Sequence, residues 1–198
     1  LDESIVRHII PRLKAAGAII IGKTSMSEFA WGTFDTQNSM MPGFTRNPYQ
    51  TDYACGGSSG GTAVAIAAGY AIAGLGTDTG CSVRAPASIN ALVGLRPSHG
   101  HIPMRGIMPM NADWDTVGPL ARTVGDLVTM LDVMQANGGW YTRSLRALAG
   151  RTVRIGVVRE LARPANTDGA VADVFDAAVQ ALRSAGVPVT EFRAGMVV

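Results

Sequence analysis

Apolar residues recur along this chain at helical spacing in some stretches and as short continuous runs in others. Ile5, Ile9, Ile10 and Leu13 repeat at the spacing of a helix, behind Asp2 or Ser4 as a cap, and Gly17 ends the run. Pro11 interrupts that helix. Ala18 to Ile21, three isoleucines after an alanine and bounded by glycines, predicts a short buried strand. Ser25 to Phe29 reads as one helical turn, and Gly32 to Gly57 as loop. Ser59 to Tyr70 is so small and apolar that it predicts a tightly packed, buried helix. A second buried strand is expected over Ala71 to Gly76, then a polar, glycine-bearing turn over Gly76 to Ala87. Ile89 to Leu95 is apolar again and Arg96-Pro97 stops it. Residues 97 to 119, with their prolines, read as irregular. Thr123 or Asp126 opens a helix to about Gln135, and Asn137-Gly138-Gly139 breaks the chain. Thr152 to Val158 predicts a strand. Val171 to Ala185 predicts an amphipathic helix with Val174, Phe175, Val179 and Leu182 on one face. Gly186 caps it and Val187 to Phe192 is a last strand. Strands alternating with helices predict an α/β fold, a mixed β-sheet core covered by helices. No internal repeat is found.

Composition narrows the function classes. With 47% hydrophobic and 16% charged residues the chain can fill an interior, which argues against disorder. Net charge is +2, and no basic block interleaves with aromatics, so nucleic acid is not indicated as a partner. No apolar run approaches the roughly 18 residues a membrane helix needs. Leu1-Asp-Glu-Ser does not read as a signal peptide, and the cytoplasm is the expected compartment. Cys55 and Cys81 make no disulfide framework. With His8, His99 and His101 they give no zinc spacing, so neither a metal nor a cofactor is expected.

Three motifs carry candidate chemistry. Gly17-Ala-Ile-Ile-Ile-Gly22-Lys23-Thr24 fits the letters of a phosphate-binding P-loop. Its four variable residues are stiff and β-forming, however, and read as the strand itself rather than as a loop curling around phosphate. A nucleotide-binding protein using Gly22, Lys23 and Thr24 is therefore the rival reading. Gly56-Gly57-Ser58-Ser59-Gly60-Gly61 holds two overlapping copies of Gly-x-Ser-x-Gly, but residues 47 to 55 do not supply the strand a nucleophile elbow needs. A flexible linker is the bland reading. The helix that follows at once favours a turn exposing free N–H groups. In Gly76-Thr77-Asp78-Thr79-Gly80-Cys81-Ser82-Val83-Arg84, glycine lets consecutive N–H groups converge near a serine. Taken alone, the motif is read in preference as a polar turn with Asp78 bonding local backbone.

Together these segments resemble the amidase signature family. The likeness extends through Gly22 to Phe29, Thr45-Arg46-Asn47-Pro48, Gly94-Leu95-Arg96-Pro97, Asp115 to Thr123, and Val153 to Val157. It covers nearly the whole chain, and the ordered interval of 24 residues from Ser58 to Ser82 makes it specific. The resemblance implies that residues 1–198 are part of a single domain with no clear internal boundary. It implies a Ser–Ser–Lys amide hydrolase with Ser82 as nucleophile. Ser58 would be the bridging serine, which in this family follows a cis peptide bond. Backbone N–H groups of Thr79, Gly80, Cys81 and Ser82 would form the oxyanion hole, and Ser59, Asp78 and Arg84 would support the loops. The substrate would be a small-molecule amide or a related carbamate, urea-like compound or glutamine. Homodimers are common in the family.

The implied chemistry is acyl transfer. A serine hydroxyl becomes nucleophilic when a base takes its proton, and a neutral lysine can act as that base. Ser58 would relay the proton from Ser82 and return it to the departing amine.

Two departures stand out. The family's lysine belongs to a Pro-Val-x-x-Lys-Asp type segment, expected upstream of Leu1, whereas the lysines here are Lys14 and Lys23. Lys23 as base, or an inactive fragment that only docks with partners, are the alternatives. Cys81 stands where the family usually has glycine. A nucleophilic Cys81 with His99 or His101 as its base is a further rival.

Overall fold

The computed structural model describes residues 9–32, 36, 43–135, 139–162, 164 and 167–193. The chain divides into two compact units, Leu1–Arg146 and Ala147–Val198. In the first unit the order is α1 (Ile9–Ala15), a 3-10 turn (Glu28–Ala30), α2 (Gly60–Ala67), β1 (Ala73–Asp78), α3 (Arg84–Ile89), β2 (Val93–Gly94), β3 (Thr116–Ala121), α4 (Val124–Gln135) and α5 (Trp140–Ala147). The second holds β4 (Ile155–Val158), α6 (Arg159–Ala162), α7 (Gly169–Ser184) and β5 (Val189–Phe192). The class is α/β, as expected.

The first unit is built around β3. It pairs antiparallel with β1 on one side and β2 on the other, with Val117 opposite Thr77 and Leu120 opposite both Gly74 and Gly94. All six of its residues are buried. Side chains alternate between faces of a strand. Val117 thus joins Ile9 and Leu13 of α1 and Leu131 and Met134 of α4, while Leu120 turns to Ala63 and Ile66 of α2 and Val83 and Ala87 beside and on α3. Each fully buried Leu or Ile here contributes roughly 1.5–3 kcal/mol. Arg122 donates to the carbonyls of Ile66 (2.9 Å) and Ala71 (3.1 Å), closing the end of α2.

In the second unit β4 and β5 run parallel, Ile155 opposite Val189 and Val158 opposite Phe192. Asp168 caps α7, accepting from the Ala170 N–H at 2.9 Å. Gly186 ends it with a positive φ of 78°, and the Val187 N–H returns to Leu182.

Several expectations are corrected. Residues 18–27 carry no regular structure, and Ile19 is 87% exposed, so the isoleucine run is not a buried strand. β-branched residues favour a strand only where a neighbour supplies hydrogen bonds and cover. The helical turn falls at Glu28–Ala30 rather than Ser25–Phe29. The expected turn over Gly76–Ala87 contains the end of β1 and the start of α3, and the expected irregular stretch ends in β3. Val174 faces outward at 71% exposure, while Ala172 and Val179 are buried. The predicted start of the first helix and the break at Asn137-Gly138 lie outside the described residues.

Candidate active site

The two serine-bearing turns meet. Ser59, at the N-terminus of α2, donates its N–H to the Ser82 carbonyl at 3.3 Å. Residues 24 apart in sequence at Ser58 and Ser82 are thereby carried on touching backbones. The peptide bond between Gly57 and Ser58 is cis, the bond the resemblance implies at that place. Ser58 is fully buried, and its hydroxyl has no hydrogen-bond partner among the described residues. Its carbonyl is engaged, accepting from the Ser27 N–H (3.0 Å) and, with Gly56, from the Thr36 hydroxyl. Ser82 is 9% exposed.

Close backbone approach explains the glycines that open α2. A Cβ on Gly60 would sit 2.1 Å from Thr36 Oγ1, and one on Gly61 2.2 Å from the Ser25 carbonyl oxygen. The Gly61 N–H donates to that same carbonyl at 3.1 Å. The first turn of α2 then latches the outer edge of β1 with hydroxyls. Ser59 Oγ donates to the Thr77 carbonyl (3.3 Å) and accepts the Thr77 N–H (3.2 Å). Thr62 Oγ1 donates to the Leu75 carbonyl at 3.1 Å, so in its 2.7 Å bond with Thr24 Oγ1 the threonine at 24 is the donor.

Asp78, at the end of β1, is fully buried and organises the second turn. Its Oδ2 accepts from the N–H groups of Val83 (3.1 Å) and Arg84 (3.3 Å) and from Arg84 Nε (3.0 Å), and Oδ1 from Arg84 Nη2 (3.0 Å). Arg96 Nε lies 3.3 Å from the same carboxylate. Burial pushes the Asp78 carboxyl up, but the Arg84 and Val83 hydrogen bonds outweigh it and hold it below its ordinary value. Arg84 also donates to the Gly80 carbonyl. Among the described residues, no acceptor meets the N–H groups of Gly80, Cys81 or Ser82. Those donors stand free beside a buried serine, an arrangement able to hold a carbonyl oxygen that gains negative charge.

Asp115 lies in one of the segments that carry the resemblance, but sequence reasoning assigns it no role. It is 4% exposed. Its Oδ1 accepts the Thr79 hydroxyl, and its Oδ2 accepts the N–H groups of Met110 (2.7 Å) and Asn111 (3.0 Å). Burial pushes this carboxyl up too, and the Thr79 hydroxyl with the two N–H groups holds it below its ordinary value. Its place at the head of the Asp115 to Thr123 segment that carries the resemblance is the signal that could have found it.

The remaining candidates fall elsewhere. A cavity of about 610 Å³ is bounded by Ile9, Met26, Leu75 and Ile107, with Lys23 and Ser59 on its wall. Neither Lys14 nor Lys23 is hydrogen-bonded to Ser58. The P-loop reading fails on geometry, because no helix opens at Gly22–Thr24 and the Thr24 hydroxyl is spent on Thr62. His99 Nδ1 lies 3.2 Å from the Asp115 carbonyl, and His101 Nδ1 lies 2.8 Å from Gln135 Nε2. Cys55 is buried and Cys81 half-buried, both as free thiols.

The family model of amidases matches residues 7–197. The chain belongs to the amidase family. This amidase chain is 39% identical over 195 residues to a glutamyl-tRNA(Gln) amidotransferase subunit of Symbiobacterium thermophilum, covering 92% of itself and 39% of that relative. It is 46% identical over 136 residues to the corresponding subunit of Methanococcoides burtonii, covering 69% of itself and 28% of that relative. Among solved structures it superposes on native peptide amidase from Stenotrophomonas maltophilia with TM-score 0.73 and 31% identity, over 93% of this chain and 41% of that one. The glutamyl-tRNA(Gln) amidotransferase subunit of Thermotoga maritima superposes with TM-score 0.79 and 28% identity, over 94% and 43%. The amidase chain thus spans about two-fifths of the length of the first of these relatives.

Proposed function

We propose that the protein cleaves an amide C–N bond through an acyl-enzyme on Ser82. The observation that carries this reading is the buried Ser58 hydroxyl, without a hydrogen-bond partner among the described residues, on a turn whose next residue bonds the Ser82 backbone. Ser82 Oγ attacks the carbonyl carbon and passes its proton to Ser58, whose own proton moves to a lysine base supplied from outside residues 1–198. The free N–H groups of Gly80, Cys81 and Ser82, with that of Thr79, hold the oxyanion. The C–N bond breaks as the amine takes a proton back through Ser58, and water then hydrolyses the ester. Ser59, Asp78 and Arg84 hold the two turns in register. The substrate is a small-molecule amide, the setting cytoplasmic, and both units are part of one amidase domain, which the family match across 7–197 supports.

The test uses the intact protein and a fluorophosphonate probe, which labels an activated serine. Ser82 in the wild type is expected to react, and Ser82→Ala to lose both labelling and amide turnover. His99→Ala and His101→Ala are expected to keep most of both, because their ring nitrogens lie on Asp115 and Gln135 instead. Equal loss in the histidine variants would replace this relay with a Ser–His arrangement.

A further inference from the structure

The turn that carries the proposed oxyanion donors has little packing of its own. A Cβ at Gly80 would meet nothing within 4 Å, and Cys81 is only half-buried. Its position therefore depends on the hydrogen bonds that hold it, Arg84 on the Gly80 carbonyl in the middle and one grip at each end. Behind Ser82 the grip is Asp78, through the Val83 and Arg84 N–H groups. At the front it is the Thr79 side chain. Thr79 has one hydroxyl proton and two acceptors in reach, Asp115 Oδ1 by a short bond and Met110 Sδ at 3.8 Å. The charged, closer acceptor takes it. Asp115 is itself fixed by Met110 N–H, Asn111 N–H and the approach of Arg96, whose Nη2 donates to the Trp114 carbonyl.

From this geometry we infer that Asp115 and the Thr79 hydroxyl form a positioning pair, which sets the front of the donor turn and thereby tunes the oxyanion hole. The inference rests on the Ser82 acyl-enzyme reading. Among the described residues, neither side chain is hydrogen-bonded to Ser58 or Ser82. Asp115 also joins the donor turn to the loop ahead of it, whose Arg105, Gly106 and Ile107 border the cavity.

The experiment measures phosphonylation of Ser82 by a fluorophosphonate in the intact protein, separating kinact from KI, alongside thermal unfolding. Thr79→Val and Asp115→Asn are each expected to lower kinact about tenfold, the scale of one lost hydrogen bond to a charged group. KI should hold, and Thr79→Ser should recover most of the rate. The double variant should be no slower than the slower single one, because both remove the charge-assisted bond between Thr79 and Asp115. Multiplying losses, or wild-type labelling by Thr79→Val, would overturn the pair. So would a melting point that falls while kinact stays. If Asp115→Asn does not fold, Thr79→Val against Thr79→Ser decides alone. Failure of the wild type to label at all would instead bring down the nucleophile reading.

Discussion

Two carboxylates in this chain are each gripped by two arginines, in opposite settings. Asp78 is fully buried, bonded to Arg84 and to two backbone N–H groups, and lies beside Arg96. Glu191 is on the surface of the second unit, bonded to Arg159 at 2.7 and 2.8 Å and to Arg183 at 2.6 Å. The Arg159 and Arg183 guanidiniums hold the Glu191 carboxyl down to about 2. A large shift on an exposed group is screened by water and contributes little to stability, whereas a buried carboxylate without its partners has nowhere to turn. The glycines differ in the same way. Gly61 abuts backbone that cannot yield, while a Cβ on Gly156 would meet Phe192 Cε1 at 2.6 Å, the end of a half-exposed ring free to swing.

Substitutions that move one region toward the other's behaviour sharpen this contrast. Gly61→Ala should be the most damaging, by about 3 kcal/mol or more in chemical unfolding, because the Ser25 backbone must shift. Asp78→Asn should follow at about 3 kcal/mol, the low end for breaking a buried pair since the Arg84 side chain is half exposed. It should also slow Ser82 labelling. Acid titration comes next. Both carboxyls are depressed in the folded state, so their stabilisation is fully present above the ordinary carboxylate value of about 4 and is lost as pH falls. For Glu191 the loss completes near pH 2. Salt at about 1 M should blunt the Glu191 portion and leave the Asp78 portion. Gly156→Ala should cost less than about 1 kcal/mol. Glu191→Gln should have the smallest effect, vanishing in high salt. An Asp78→Asn protein as stable as Glu191→Gln would erase the distinction.

The two turns of the candidate site are more legible in the sequence than the scaffold. Local chemistry marks both turns: Gly60 and Gly61 where backbone approaches closely, Ser82 after Asp78 and Gly80. What escapes such reading depends on distant residues. β3 holds Gly118 and Pro119 and is buried throughout, so it shows no alternation to read. α3 carries Pro86 in its first turn, where no N–H is required, and looks like a turn in sequence. α5 receives its cap from Asp132 of α4, which accepts the Tyr141 and Thr142 N–H groups, not from a neighbour in sequence. Asp115 is visible within a motif, and Met110 and Asn111 are its near neighbours in sequence, but Thr79 meets it only in three dimensions. The isoleucine run misleads for the converse reason: local preference is strong and no cover arrives.

The unequal burial of the two thiols makes the protein its own reporter. Within residues 1–198, Cys55 is sealed inside and Cys81 is reachable, so a mild alkylating reagent addresses one of the two positions without any engineered label. That position adjoins Ser82, so a fluorophore fixed there would read the turn's environment. Protection from alkylation would rank unknown ligands by occupancy before any product had been identified.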